Sequence, residues 1–168
     1  MKARICKVCA TSGVYCEQCE YKIKNSIVSP VEINIARFLY EAEPRFRELQ
    51  NASLDFVGEI GKNTLIVVLS SNDFFNPAFL SSISKLLSNK ISKNVRIVEK
   101  SNDVKRLVNQ VMYPARVLSV NEVWAPDGTH EYAIRLSGGD AKRLGEDILE
   151  LEHLLSDLLS SKVRIILE

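Results

Sequence analysis

The chain has 168 residues, 46% of them apolar, and a formal net charge of +1. That length suits one compact domain or two small ones, and the apolar share is normal for a protein that buries a core. No run approaches the roughly 18 uninterrupted apolar residues of a membrane-spanning helix, and MKARICKVC lacks the apolar centre of a secretion signal, so a soluble, cytoplasmic protein is expected.

All four cysteines fall in ICKVCATSGVYCEQC, as Cys6-x-x-Cys9 and Cys16-x-x-Cys19. A C-x-x-C pair aims two sulfurs at one point, and two such pairs close a tetrahedron around one ion. Structural zinc takes that arrangement, with bonds of about 2.3 Å. Disulfides suit a secreted chain better, and iron is the alternative metal because it also accepts four thiolates. The segment holds few apolar residues, Ile5, Val8 and Val14, so bound metal would supply much of its folding free energy. Lys2, Arg4, Lys7, Lys22 and Lys24 outnumber Glu17 and Glu20 there, with Tyr15 and Tyr21 nearby. Basic charge with interleaved aromatics suits a nucleic-acid contact; a solvated surface is the plainer alternative.

After a linker at 26–30 ending in Pro30, VEINIARFLYEAE carries Val31, Ile35, Phe38, Leu39 and Ala42 at helical spacing, up to Pro44. SLDFVGEIGKNTLIVVLS reads as a hairpin turning at Gly61-Lys62-Asn63. Leu80, Ile83, Leu87 and Ile91 mark a helix, and VRIVE at 95–99 a strand. The order then repeats. Ser101-Asn102-Asp103 offers a helix cap, and Val104, Leu107, Val108, Val111 and Met112 form the next stripe, stopped by Pro114. ARVLSVNEVW and EYAIRLS read as strands joined at Pro126-Asp127-Gly128-Thr129. Ile148, Leu151, Leu155, Leu158 and Leu159 share a face of a long helix, and VRIIL at 163–167 closes the chain, 68 residues after VRIVE. A repeat of that length suits two small α+β domains, each a three-stranded sheet backed by helices, rather than a solenoid.

This order, and VRIVEKSNDVKRLVNQVMYPARVLSV at 95–120, resemble the tandem KH module of the NusA transcription-factor family, over roughly residues 31–168. The added cysteine clip and short body look like archaeal NusA-like proteins. The resemblance implies two type II KH-like domains (α-β-β-α-β each, 31–100 and 101–168); the cysteine clip lies outside it and is read as a zinc-ribbon or knuckle segment at 1–25. The resemblance also implies single-stranded RNA binding and association with transcribing RNA polymerase. KH domains clamp the RNA backbone with a G-x-x-G loop. The corresponding positions here, Pro77-Ala78-Phe79-Leu80 and Gly145-Glu146-Asp147-Ile148, depart from that pattern. The first lacks an amide at Pro77, and the second puts two carboxylates where a phosphate would sit. No loop function is carried over.

Basic residues also concentrate at Lys85, Lys90, Lys93, Arg96, Lys100, Lys105 and Arg106, net +5 over 85–106, with Lys142 and Arg143 as a second spot. Residues 138–157 carry net −4. Clustered Lys and Arg bind phosphate in a salt-dependent way; a solvated helix face is the alternative. Trp124 and Tyr132 suit base stacking, although packing at the core or its rim is the plainer role; Phe74, Phe75 and Phe79 suit an exposed patch for a partner, with core packing the plainer role. The two histidines lack metal-ligand spacing, and no P-loop, G-x-S-x-G or dinucleotide fingerprint occurs. The sequence therefore points to a non-enzymatic RNA-binding factor of transcription elongation or termination. The alternative is a module docking on RNA polymerase or the ribosome, with RNA binding lost.

Overall fold

The computed structural model describes residues 1–144 and 148–168. The chain forms two compact units: Met1–Val57 with Leu65–Lys100, and Gly58–Thr64 with Ser101–Glu168. Among the described residues, no helix is long and apolar enough to cross a membrane.

The first unit opens with two short helices, α1 (Lys7–Ser12) and α2 (Glu17–Lys24). α3 (Pro30–Ala42) follows because its start is well specified. The Ser29 hydroxyl accepts the Glu32 amide at 3.1 Å, and Pro30 sits where a missing N–H costs nothing. Ile35, Ala36, Leu39 and Tyr40 form its buried stripe, and the helix ends two residues before Pro44. A single turn, α4 (Arg47–Gln50), leads into β1 (Ser53–Ile60) and β2 (Thr64–Ser70). Their turn carries Gly61 at φ +59°, a left-handed conformation that glycine adopts freely. β2 is buried from Thr64 to Leu69, the pattern of a strand covered on both faces. α5 (Pro77–Ile91) and β3 (Asn94–Glu99) complete the sheet in the order β1-β2-β3.

The second unit repeats this order. α6 (Val104–Met112) buries Leu107, Val108, Val111 and Met112. The Asp103 carboxylate caps it, accepting the Lys105 and Arg106 amides at 2.9 and 3.3 Å. Tyr113 is extended, as a residue before proline tends to be, so the helix stops there. β4 (Val117–Trp124) and β5 (His130–Leu136) pair antiparallel, with an irregularity between Val117 and Ser119. α7 (Gly138–Leu144) and α8 (Ile148–Leu159) precede β6 (Lys162–Leu167), which pairs parallel with β5. A parallel partner needs a long crossover, and the helical segment supplies it.

A hydrogen-bonding device recurs with the repeat. The Ser88 hydroxyl accepts the Val95 amide at 3.0 Å; 68 residues on, Ser156 accepts the Val163 amide at the same distance. Ser92 and Ser160, also 68 apart, adopt φ +58° and +50° just past their helices. In each unit a serine on the helix thus fastens the start of the last strand.

Four short helices among the described residues, α1, α2, α4 and α7, lie outside the sequence expectation. α1 and α2 occupy the two C-x-x-C segments, read above only as sulfur-aiming pairs. α7 carries two glycines that weaken helical propensity, yet Ser137 starts it by accepting the Asp140 amide at 3.1 Å and donating to its carboxylate at 2.6 Å.

Candidate metal centre and nucleic-acid surfaces

Each C-x-x-C pair straddles a helix start. Cys6 and Cys16 are the N-caps of α1 and α2, in extended conformation. Cys9 and Cys19 lie three residues on, one turn in. This places the two sulfurs of each pair beside the free amides of a helix start, which favour negative charge. The four sulfurs lie within 4.8 Å of one another. A tetrahedral thiolate site has S···S edges of about 3.8 Å, so small side-chain rotations close it on an ion. The four cysteines can therefore hold a metal ion.

The thiols are not equivalent. The Cys19 amide, then the Cys19 thiol, draw Cys16 down to about 7. Cys6 is lowered by hydrogen bonds from the Cys9 thiol and the Cys9 amide. The Cys16 amide, 3.2 Å from Cys9 Sγ, favours a Cys9 thiolate. Hydrogen bonding to Cys6 and burial outweigh it and push Cys9 up to about 12. Burial raises Cys19. The outer pair thus ionises first, and an entering cation must displace protons from the inner pair, so its hold weakens in acid.

The clip is built into the first unit's core. Ile5, Cys9, Ala10 and Cys19 pack in one cluster with Ile35, Leu39, Leu65 and Val67. Lys2 bridges to Ser53 beside β1, its amide donating to Ala52 O at 2.9 Å and its carbonyl accepting from Leu54 at 2.8 Å. The Tyr40 hydroxyl donates to Ile5 O at 3.0 Å. Val8 and Val14, two of the segment's few apolar residues, point outward, 71% and 75% exposed.

The basic residues of the clip are largely engaged within the fold. Arg4 pairs with the buried Glu32 at 2.9 Å and donates to Ile27 O. Lys7 pairs with Glu43 at 2.6 Å. Lys22 donates to Arg4 O at 2.7 Å, and Lys24 pairs with Glu20 at 2.7 Å. Local sequence counted Lys and Arg against Glu17 and Glu20; the balancing carboxylates Glu32 and Glu43 come from α3 and its C-cap.

Lys85 and Lys90 are exposed on α5, and Lys93 and Arg96 are half-buried at its end and on β3. Lys100 is exposed and 3.3 Å from Asp55. Lys105 and Arg106 are exposed in the first turn of α6. Lys142 and Arg143 share the last turn of α7, where Arg143 lies 3.4 Å from Asp140. Adjacent residues thus cluster on α6 and on α7; the rest are distributed along α5, β3 and its end.

Pro77 to Leu80 form the first turn of α5, capped by Asn76 through the Ala78 amide at 2.9 Å. Phe79 is buried and rests on Phe75 and Phe46, with ring centroids 5.3 and 5.8 Å away. It is a core residue, so that turn has no glycine cradle. Phe74 is 83% exposed, so the three phenylalanines divide between core and surface. The second loop position, Gly145-Glu146-Asp147, lies outside the described residues.

Two cations missed in the sequence are Lys162 and Arg164. They line a cleft of about 650 Å³ with Glu131 and His130 in the second unit. Their signal was weak because VRIIL reads as a closing core strand. Only the parallel register with β5 reveals which of its residues face outward.

No family model matches the chain, and no curated protein matches it. A solved structure described as "Crystal structure of APE1850" is 22% identical, covers 63% of this chain and 79% of that one, and superimposes with a TM-score of 0.43.

Proposed function

We propose that the chain is a non-enzymatic, KH-like RNA-binding factor of the transcription machinery, with one zinc ion bound by Cys6, Cys9, Cys16 and Cys19 as a structural clip. The observation that carries the RNA reading is the position of Lys105 and Arg106. Both are exposed at the start of α6. Asp103 caps that turn through the backbone amides of both residues. A phosphate backbone uses such charge directly. The duplicated α-β-β-α-β order supports the KH-like reading, and the absence of a glycine cradle at 77–80 moves the contact to these basic side chains.

The test is binding of a short single-stranded RNA by fluorescence anisotropy at about 50 and 200 mM salt. Affinity should fall with salt, and changing Lys100, Lys105 and Arg106 together to Glu should lower it about tenfold or more. Wild-type affinity in that variant would refute the assigned surface.

Docking on RNA polymerase or the ribosome is the second reading. The clip favours it, because most of its cations are paired internally while Val8, Val14 and Tyr21 are exposed. Recovery of polymerase or ribosomal subunits that survives nuclease treatment would support docking over RNA.

A further inference from the structure

The three strands of the second sheet end together at one edge. Trp124 is the last residue of β4, His130 the first of β5 and Lys162 the first of β6. Trp124 pairs across with His130, and Glu131 pairs with Lys162. The Trp124 and His130 rings lie 4.9 Å apart at 31°, and His130 meets Tyr132 edge-on at 5.6 Å. Ser161 Oγ, 3.0 Å from His130 Nε2, holds the imidazole in place. The indole is therefore backed on one side by a fixed ring, yet it is 63% exposed. Core packing does not account for so large an apolar surface left in water.

Cations stand on the other face of the same edge. Arg164 is held by Glu131 through contacts of 2.8 and 3.0 Å. Lys162 is 72% exposed and 3.8 Å from that carboxylate. So long and solvated a pair is weak, which leaves the ammonium available.

We propose that this sheet edge is a single-strand RNA subsite: a base stacks on Trp124, and the neighbouring phosphate crosses the edge to Lys162 and Arg164. The subsite rests on the RNA reading above but uses residues independent of the basic stretch at 85–106. A backed, open indole at an edge whose other face carries positive charge suits a nucleobase, because every base offers a flat π-face and sequence does not matter.

Trp124 is the sole tryptophan in the chain, so its emission reports on the subsite without a label. Titration with a roughly ten-nucleotide oligouridine should quench it over the concentration range in which anisotropy of labelled RNA rises. Trp124→Ala should weaken RNA binding about 5- to 150-fold, the span of base–aromatic stacks, with the melting temperature retained. Lys162→Gln with Arg164→Gln should reduce the salt slope by about 0.7 for each phosphate that these cations no longer neutralise. RNA binding with unmoved emission and full affinity in Trp124→Ala would overturn the subsite, leave the indole to a protein partner and spare the RNA reading. A wild-type protein that binds no RNA would overturn both.

Discussion

Ile5→Ala tests whether the cysteine clip belongs to the first unit's core or merely hangs from it. The Ile5 side chain is 1% exposed and packs in the same cluster as Cys9, Cys19, Ile35 and Leu39. Truncating a buried isoleucine to alanine costs about 2–5 kcal/mol, the larger values where the surroundings cannot collapse. Collapse is resisted here, because backbone bonds at Lys2 and the Tyr40 hydroxyl at Ile5 O hold the segment in place. A cost in the upper half of that range is therefore expected. Metal binding and clip docking draw on one folding equilibrium, so part of the loss must appear as weaker metal retention, about tenfold for each 1.4 kcal/mol so coupled. Urea unfolding of zinc-loaded protein, followed by circular dichroism, measures the first effect; competition with a chromophoric chelator measures the second. An unchanged midpoint together with wild-type zinc affinity would refute the reasoning and make the clip an independent knob.

The repeated serine device predicts a matched pair of effects. Ser88→Ala and Ser156→Ala each leave a part-buried strand amide without its acceptor, at about 1–3 kcal/mol. Hydrogen exchange should show the loss confined to the unit that carries the change. A charge prediction concerns Glu43. Hydrogen bonds from Lys7, then from the Met1 amine, hold its carboxyl below the ordinary value of 4.5. A carboxyl lowered by folding stabilises the protein fully above its unfolded value, and that contribution is lost as pH falls through the folded one. Glu43→Gln should therefore flatten the stability profile of metal-free protein below about pH 4.5. A wild-type slope in that variant would remove Glu43 from the acid response.

Local sequence carried much of this architecture. The stripe from Val104 to Met112, the Asp103 cap and the turn at Gly61 each depend on residues within a turn or two of one another, so periodicity and cap chemistry were enough to find them. The 2 × C-x-x-C spacing likewise announced a shared point for four sulfurs, because each pair needs only one helical turn to align. α4 and α7 escaped because one turn has no period to read, and because two glycines obscure a short helix whose start depends on Ser137 and Asp140.

Pairings between distant segments decided the rest. The clip's cations look free until α3 and its C-cap bring Glu32 and Glu43 to Arg4 and Lys7. Val8 and Ile5 are similar in composition, but only Ile5 faces the core. Trp124 sits on an alternating strand that could have faced either way, and Lys162 and Arg164 come to the same sheet edge only through the parallel register of β6 with β5. Sequence thus determined where most helices, the strands and the four-cysteine cluster form, since those follow from neighbours along the chain. Tertiary structure determined which charges remain available and which rings meet solvent, since both depend on partners brought together only when the chain folds.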